Sequence, residues 1–289
     1  MPQAAPVGIF DSGVGGLSVV RELMRQYPAQ PFIYLADQAH VPYGARQLAE
    51  IQAFSEGITR ALLAAGACII VVACNAASAA ALRRLRECFP TVPFVGMEPA
   101  VKPAAEGTRC RHVGVIATAA TFQGELFASL LDRYSPRVTV HTQVCPDLVP
   151  LIEAGELSSP RTRLAVQGYL APLLAAGIDQ LVLGCTHYPF LRPLIEEAAG
   201  PSVTIIDPAP AVARQAGRLL GQHGWLAGDG RQPSGADPQG APAKHLFLTT
   251  GDPVRFRCAV KDLLGLDTGV RRAVWSAAPE PALEVARDE

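Results

Sequence analysis

Two short stretches of the chain place a thiol where an apolar run stops and a helix-forming run begins. They are Ile69–Ser78, "IIVVACNAAS", and Leu181–Phe190, "LVLGCTHYPF". Both read as strand, small residue, cysteine, hydrogen-bonding side chain, helix start. Unpaired N–H groups and the helix dipole at such a junction favour thiolate over thiol. A free thiol ionises near pH ~8.5, and each unit of lowering is worth about 1.4 kcal/mol of preference for thiolate. Cys74 and Cys185 are therefore candidate acid–base groups, with packing or a redox pair as the other readings. His187 can stabilise a Cys185 thiolate, shuttle its proton, or simply be a satisfied structural histidine. Core packing is the expectation for Cys68, Cys88, Cys110 and Cys258, whereas Cys145, beside Pro146 at a strand end, is left open. No paired Cys/His spacing suggests a metal, and seven cysteines without a CxxC pattern read as reduced thiols.

Two further motifs carry polar groups at strand ends. Asp11-Ser12-Gly13-Val14-Gly15-Gly16 follows the apolar "VGIF", and is either a tight strand–helix turn or a ligand cradle. Ser18 stands at the third glycine position of a dinucleotide fingerprint, and no Walker lysine is present. Asp11 would repel a phosphate but suits an ammonium group or a proton relay. Val41-Pro42-Tyr43-Gly44 is a turn in either reading, and its amides can hold a carboxylate.

The elements that must position these groups alternate regularly. Strands are expected at 6–10, 31–36, 67–73, 93–96, 112–117, 137–143, 179–184, 203–206 and 245–249, several of them continuously apolar as in a sheet covered on both faces. Between them lie amphipathic helices such as 46–65, with Leu48, Ile51, Phe54, Ile58 and Leu62 on one stripe. This alternation implies α/β architecture: two similar doubly wound, mainly parallel-sheet domains facing a central cleft. Residues 1–97 plus 209–289 form one expected domain, carrying Cys74, and 98–208 the other, carrying Cys185. In open α/β sheets ligands gather beyond the C-terminal strand ends, so two facing sheets put both thiols on one cleft. Residues 226–243 read as a flexible surface loop, and the tail from 277 as a disordered or weakly docked extension.

Composition narrows the function classes. The 289 residues are 49% hydrophobic and 18% charged, with a net charge of −1, which fits a globular protein with a large core. No basic surplus points to nucleic acid, and 6% aromatics offer no base-stacking platform. No membrane-spanning run or signal peptide is evident, so the cytoplasm is the expected location.

Taken together and in order, "GIFDSGVGGLSV", "YLADQAHVPYG", "VVACNAASA", "VGMEPAVKPA", "GVIATAATF", "CPDLVPLIEAG", "LVLGCTHYPFL" and "FLTTGDPVRF" resemble the glutamate racemases of the cofactor-independent aspartate/glutamate racemase family. The resemblance runs from about residue 7 to 265. It implies interconversion of L- and D-glutamate, supplying D-glutamate for peptidoglycan, with no cofactor. It makes Cys74 and Cys185 the acid–base thiols, with Asp11, Glu153 and His187 as auxiliary proton-handling groups. Asp11, Ser12, Tyr43, Gly44, Asn75, Ala76, Thr186 and His187 fall at substrate-contact positions, and Thr118 and Thr121 match a threonine pair near the substrate. Ala76 departs from the family's usual threonine, and Ala117 and Ala120 replace residues commonly glycine. Physically, racemisation needs a proton removed from one face of Cα and another delivered to the opposite face, which two bases on opposite cleft walls do without moving the substrate. The rivals are a racemase of another amino acid such as aspartate, a non-catalytic regulatory binding protein (some relatives bind DNA gyrase) and a redox dithiol protein. A homodimer is left open, because nothing in the residues fixes the oligomeric state.

Overall fold

The computed structural model describes residues 5–134, 136–227, 243–276 and 283–285. In the first part of the chain the order is β1 (Val7–Asp11), α1 (Leu17–Gln26), β2 (Phe32–Ala36), α2 (Leu48–Ala64), β3 (Ile69–Val72), α3 (Asn75–Cys88) and β4 (Phe94–Gly96). Then follow α4 (Val101–Gly107), β5 (His112–Ala117), α5 (Ala119–Gln123), α6 (Glu125–Tyr134), β6 (Thr139–Val144), α7 (Leu148–Glu153), α8 (Pro160–Ala175), β7 (Gln180–Gly184), α9 (Arg192–Ala199) and β8 (Thr204–Ile206). The last elements are α10 (Ala209–Gln222), β9 (Leu246–Thr249), α11 (Pro253–Leu264), β10 (Val270–Trp275) and β11 (Leu283–Val285).

These strands make a seven-stranded sheet, β11-β10-β9-β2-β1-β3-β4, and a four-stranded sheet, β6-β5-β7-β8. All neighbours are parallel except β10 and β11. Each strand expected from the sequence is present within two residues of its expected ends. β10 and β11 are additional, and Leu283 of β11 is buried, so this part of the expected loose tail is docked. The rest of that tail, and residues 228–242 of the expected surface loop, lie outside the described residues.

Strand periodicity explains the layering. Ile9, Tyr34 and Val71 face one core with α1, α10 and α11, while Phe10, Leu35, Ile70 and Val72 face another with α2 and α3. A strand buried on both faces must be apolar throughout, as β1, β2 and β3 are. The first of these cores continues into the second lobe through Leu148, Leu181, Leu183 and Tyr188.

The order of each sheet places its switch point at one strand. From β1 the chain moves first to β2 and then to the other side, to β3; from β5 it moves to β6 and then to β7. A crevice opens beyond the C-terminal ends of such strands. Cys74 follows β3 and Cys185 follows β7, so each thiol stands next to the switch strand of its own sheet.

Candidate active site

On the first lobe, β1 delivers Asp11 and β3 delivers Cys74. Asp11 is wholly buried, and its Oδ2 accepts the Gly16 amide at 2.8 Å while Oδ1 has no hydrogen-bond partner. Burial raises the Asp11 carboxyl above its ordinary range, against the opposing pull of His187, Cys74 and the Gly16 amide. Cys74 is the extended N-cap of α3, and its Sγ accepts the Ala77 N–H at 3.5 Å. The helix start was expected to favour thiolate here, and that amide does pull in the thiolate direction. Burial and the neighbouring Asp11 charge outweigh it and push the Cys74 thiol well up, so it rests protonated.

The second lobe presents its thiol differently. Cys185 opens a tight turn leading into the short 3₁₀ segment Tyr188–Leu191, not an α-helix, so the resemblance between the two junctions stops at the strand end. Its partner is a side chain: Sγ lies 3.7 Å from His187 Nδ1, and His187 Nε2 lies 2.7 Å from Glu153 Oε1. Glu153, the last residue of α7, also accepts the Val14 amide at 2.7 Å and Gln38 Nε2 at 3.2 Å. Burial alone would raise the Glu153 carboxyl, but His187, Val14 and Gln38 together hold it below its ordinary range. Burial likewise disfavours the imidazolium, yet the Cys185 and Glu153 hydrogen bonds raise His187 well above an ordinary histidine. The first lobe presses directly on this group. A Cβ at position 15 would lie 2.3 Å from His187 Nδ1, which is why a glycine stands there.

Between the thiols lies a cavity of about 20 Å³, lined by Ser12, Pro42, Tyr43, Gly44, Cys74, Asn75, Ala76, Thr118, Val149, Cys185, Thr186 and His187. That is room for about one water molecule, so a larger ligand requires these walls to part. Asn75 is the strongest sign of one: it is buried, and both polar atoms of its amide have no hydrogen-bond partner. A buried polar group left unpaired costs roughly 1–3 kcal/mol, so a group of this kind is expected to have a partner in the working protein. Tyr43 is held by its hydroxyl, which donates to Asp37 Oδ2 at 2.6 Å. Ala76 reaches the wall without a hydroxyl. Larger open grooves exist, such as one lined by Arg83, Arg86 and Gln123, but neither Cys74 nor Cys185 lines them.

The structure thus brings ten of the residues expected from the sequence onto one cavity wall: Ser12, Tyr43, Gly44, Cys74, Asn75, Ala76, Thr118, Cys185, Thr186 and His187. The other three stand behind it. Asp11 backs Cys74, Glu153 backs His187, and Thr121 backs Thr118 with Oγ1 atoms 3.1 Å apart. Sequence reasoning read Pro42 only as part of a turn, and missed Val149, Asp37 and Gln38. Three of these lie inside "YLADQAHVPYG", where a strand tip running into a turn was the available signal. Among the lining residues neither Lys nor Arg occurs, so an anion in this cavity would be held by neutral donors, backbone amides and His187. Among the described residues no group of three or more His, Cys, Asp or Glu is placed to hold a metal ion.

Residues 8–216 match the Asp/Glu/hydantoin racemase family. The chain is 51% identical over 261 residues to a glutamate racemase from Ectopseudomonas mendocina, covering 90% of this chain and 95% of that protein. Its fold is similar to that of a glutamate racemase isoform from Bacillus anthracis, with a TM-score of 0.80, 33% identity, and coverage of 93% of this chain and 97% of the other. It is also similar to a Francisella tularensis glutamate racemase in complex with D-glutamate, with a TM-score of 0.79, 28% identity, and coverage of 95% and 98%.

Proposed function

The chain belongs to the Asp/Glu/hydantoin racemase family, and we propose that within it Cys74 and Cys185 are the two thiols that carry protons to and from glutamate. Interconversion of L- and D-glutamate, a cofactor-independent isomerisation, is its activity, and D-glutamate is a building block of peptidoglycan. The observation that carries the two-thiol reading is the single small cavity reached by one cysteine from each sheet.

In this reading Cys185 acts on L-glutamate. The Cα–H bond breaks, its proton passes to Cys185 Sγ, and the electron pair remains on Cα. Cys74, resting as a thiol, then delivers its proton to the opposite face and leaves as thiolate, giving D-glutamate. The reverse direction exchanges the roles. His187, anchored by Glu153, is the group that receives and returns charge at Cys185, and Asp11 does so at Cys74. Asn75 and the amides at the start of α3 are suited to the substrate α-carboxylate, and the closed cavity excludes water from the carbanion. Ser12, Tyr43, Gly44, Thr118 and Thr186 complete the contacts, with Thr121 supporting Thr118.

Among the described residues no helix is long and apolar enough to cross a membrane. We place the protein in the cytoplasm, where its substrate is made, and divide it into domains at 97/98 and 208/209, the two points where the chain passes between sheets.

The test is Cα hydrogen exchange of each glutamate enantiomer in deuterated water, with polarimetry, for the protein and for Cys74→Ser and Cys185→Ser. Each variant should lose roughly 10²–10⁴-fold in racemisation. Full activity in either one removes the two-thiol mechanism, and preference for aspartate would move the substrate assignment.

A further inference from the structure

Glu153 receives its hydrogen bonds from both lobes. Its Oε1 takes His187 Nε2 and the Val14 amide, and its Oε2 takes Gln38 Nε2. His187 and Glu153 belong to the second lobe, whereas Val14 and Gln38 belong to the first. Gln38 is also oriented. Thr249, fully buried at the end of β9, accepts the Gly251 amide at 3.0 Å and so directs its hydroxyl proton to Gln38 Oε1 at 2.9 Å. That leaves the Gln38 NH₂ pointing at Glu153.

From this arrangement we infer that Gln38 is a positioning residue for Cys185, completing the His187–Glu153 pair from the opposite lobe so that the pair is fully assembled only when the lobes meet. The inference rests on the two-thiol reading. Val14 and Gln38 hold the carboxylate in one orientation and keep it ionised. An ionised Glu153 retains the proton on His187 Nε2, and Nδ1 is then presented to the Cys185 sulfur. A lobe that swings away removes two of three donors from Glu153 at once.

The diagnostic substitution is Gln38→Glu, which keeps the shape and the Thr249 hydrogen bond but sets a second carboxylate against Glu153. The titratable groups facing Glu153 are His187 from the turn after β7, Asp11 at the end of β1 and Tyr34 on β2; Asp37 and His40 flank position 38. Two carboxylates in contact cannot both ionise cheaply, so one takes up a proton well above its ordinary range. Once they share that proton, an O–H donor stands where the amide N–H stood. Gln38→Glu should therefore lose about tenfold or more in kcat at pH 8 and recover part of it on acidification. Its rate optimum should move acidward by about one pH unit, with KM and melting temperature changed less. Gln38→Ala should show a loss of similar size without the acid recovery, and Thr249→Val a smaller loss, since the amide is then free to turn. A Gln38→Glu enzyme with the parent's pH profile, or a loss uniform across pH, would overturn the positioning role. An active Cys185→Ser enzyme would instead overturn the two-thiol reading beneath it, so the two failures are told apart.

Discussion

His187 and Glu153 are the residues whose ionisation folding changes in opposite directions, and this gives the site a pH signature in stability. His187 is raised above its ordinary value, so its contribution is complete below about pH 6.5 and is lost as pH rises through the raised value. Glu153 is lowered, so its contribution is present above about pH 4.5 and is lost as pH falls through the lowered value. Both are in force between those limits. Breaking a wholly buried pair costs roughly 3–5 kcal/mol. Glu153 is 13% exposed and keeps its Val14 and Gln38 donors, so about 2 kcal/mol is expected for His187→Asn. Urea denaturation of the protein and this variant should show the widest gap near pH 5.5, narrowing as pH falls through the lowered Glu153 value and as it rises through the raised His187 value. An unchanging gap would mean that packing, not charge, holds the pair. The two thiols were legible in the sequence because a cysteine at a strand–helix junction is chemically conspicuous. Their unequal environments were not. Helix position alone favours thiolate at Cys74, and only the depth of burial beside Asp11 reverses it. Gln38 and Asp37 went unread because polar residues after a strand look like any solvated turn.

At the scale of elements, strand β10, late in the chain, reaches back to the substrate wall. Trp275 Nε1 donates to Asp37 Oδ1 at 2.8 Å, and Thr250 Oγ1 donates to the same oxygen at 2.8 Å. Asp37 Oδ2 takes the Tyr43 hydroxyl and His40 Nδ1, and the Trp275 ring packs against Phe54 and His40. One buried carboxylate thus fixes Tyr43 through donors from residues more than 200 positions away in sequence. Trp275→Phe keeps an aromatic ring but removes the N–H, leaving Asp37 three donors. It should raise KM for glutamate about threefold while costing about 1 kcal/mol or less in stability. Unaltered KM would show that Tyr43 does not depend on β10. The strands expected from sequence were continuously apolar and hence visible as local runs. β10, "VRRAVW", carries two arginines in its middle, and its strand state comes from pairing with β9, which no local window contains. β11 has the same origin, since it exists by pairing with β10.

At the scale of the molecule, catalysis by two thiols requires the lobes to fix the distance across the cavity. On one side they share a continuous apolar core, reinforced by Ser18 Oγ donating to the Thr186 carbonyl at 3.0 Å. On the other side α3, which carries Cys74 at its start, rests on the α5–α6 junction of the second lobe. Gly124 lies at that junction, and a Cβ there would come within 2.4 Å of Ala79 Cβ and 3.1 Å of Ala79 Cα. Neither of those atoms can swing aside, so Gly124→Ala must push α3 and its thiol away from the second lobe. Gly124 is not among the residues lining the thiol cavity, so any loss of activity is transmitted through lobe spacing. A misplacement of about 1 Å at reacting groups can cost on the order of 10²-fold in rate. Gly124→Ala should therefore reduce kcat by about 10–100-fold while melting within a few degrees of the parent. Ala79→Gly removes the nearer of the two obstructing atoms, and combining it with Gly124→Ala should restore part of the rate, a coupling that a double-mutant cycle measures. A Gly124→Ala enzyme of full activity, or one not rescued by Ala79→Gly, would show that the spacing of the thiols is set on the core side alone.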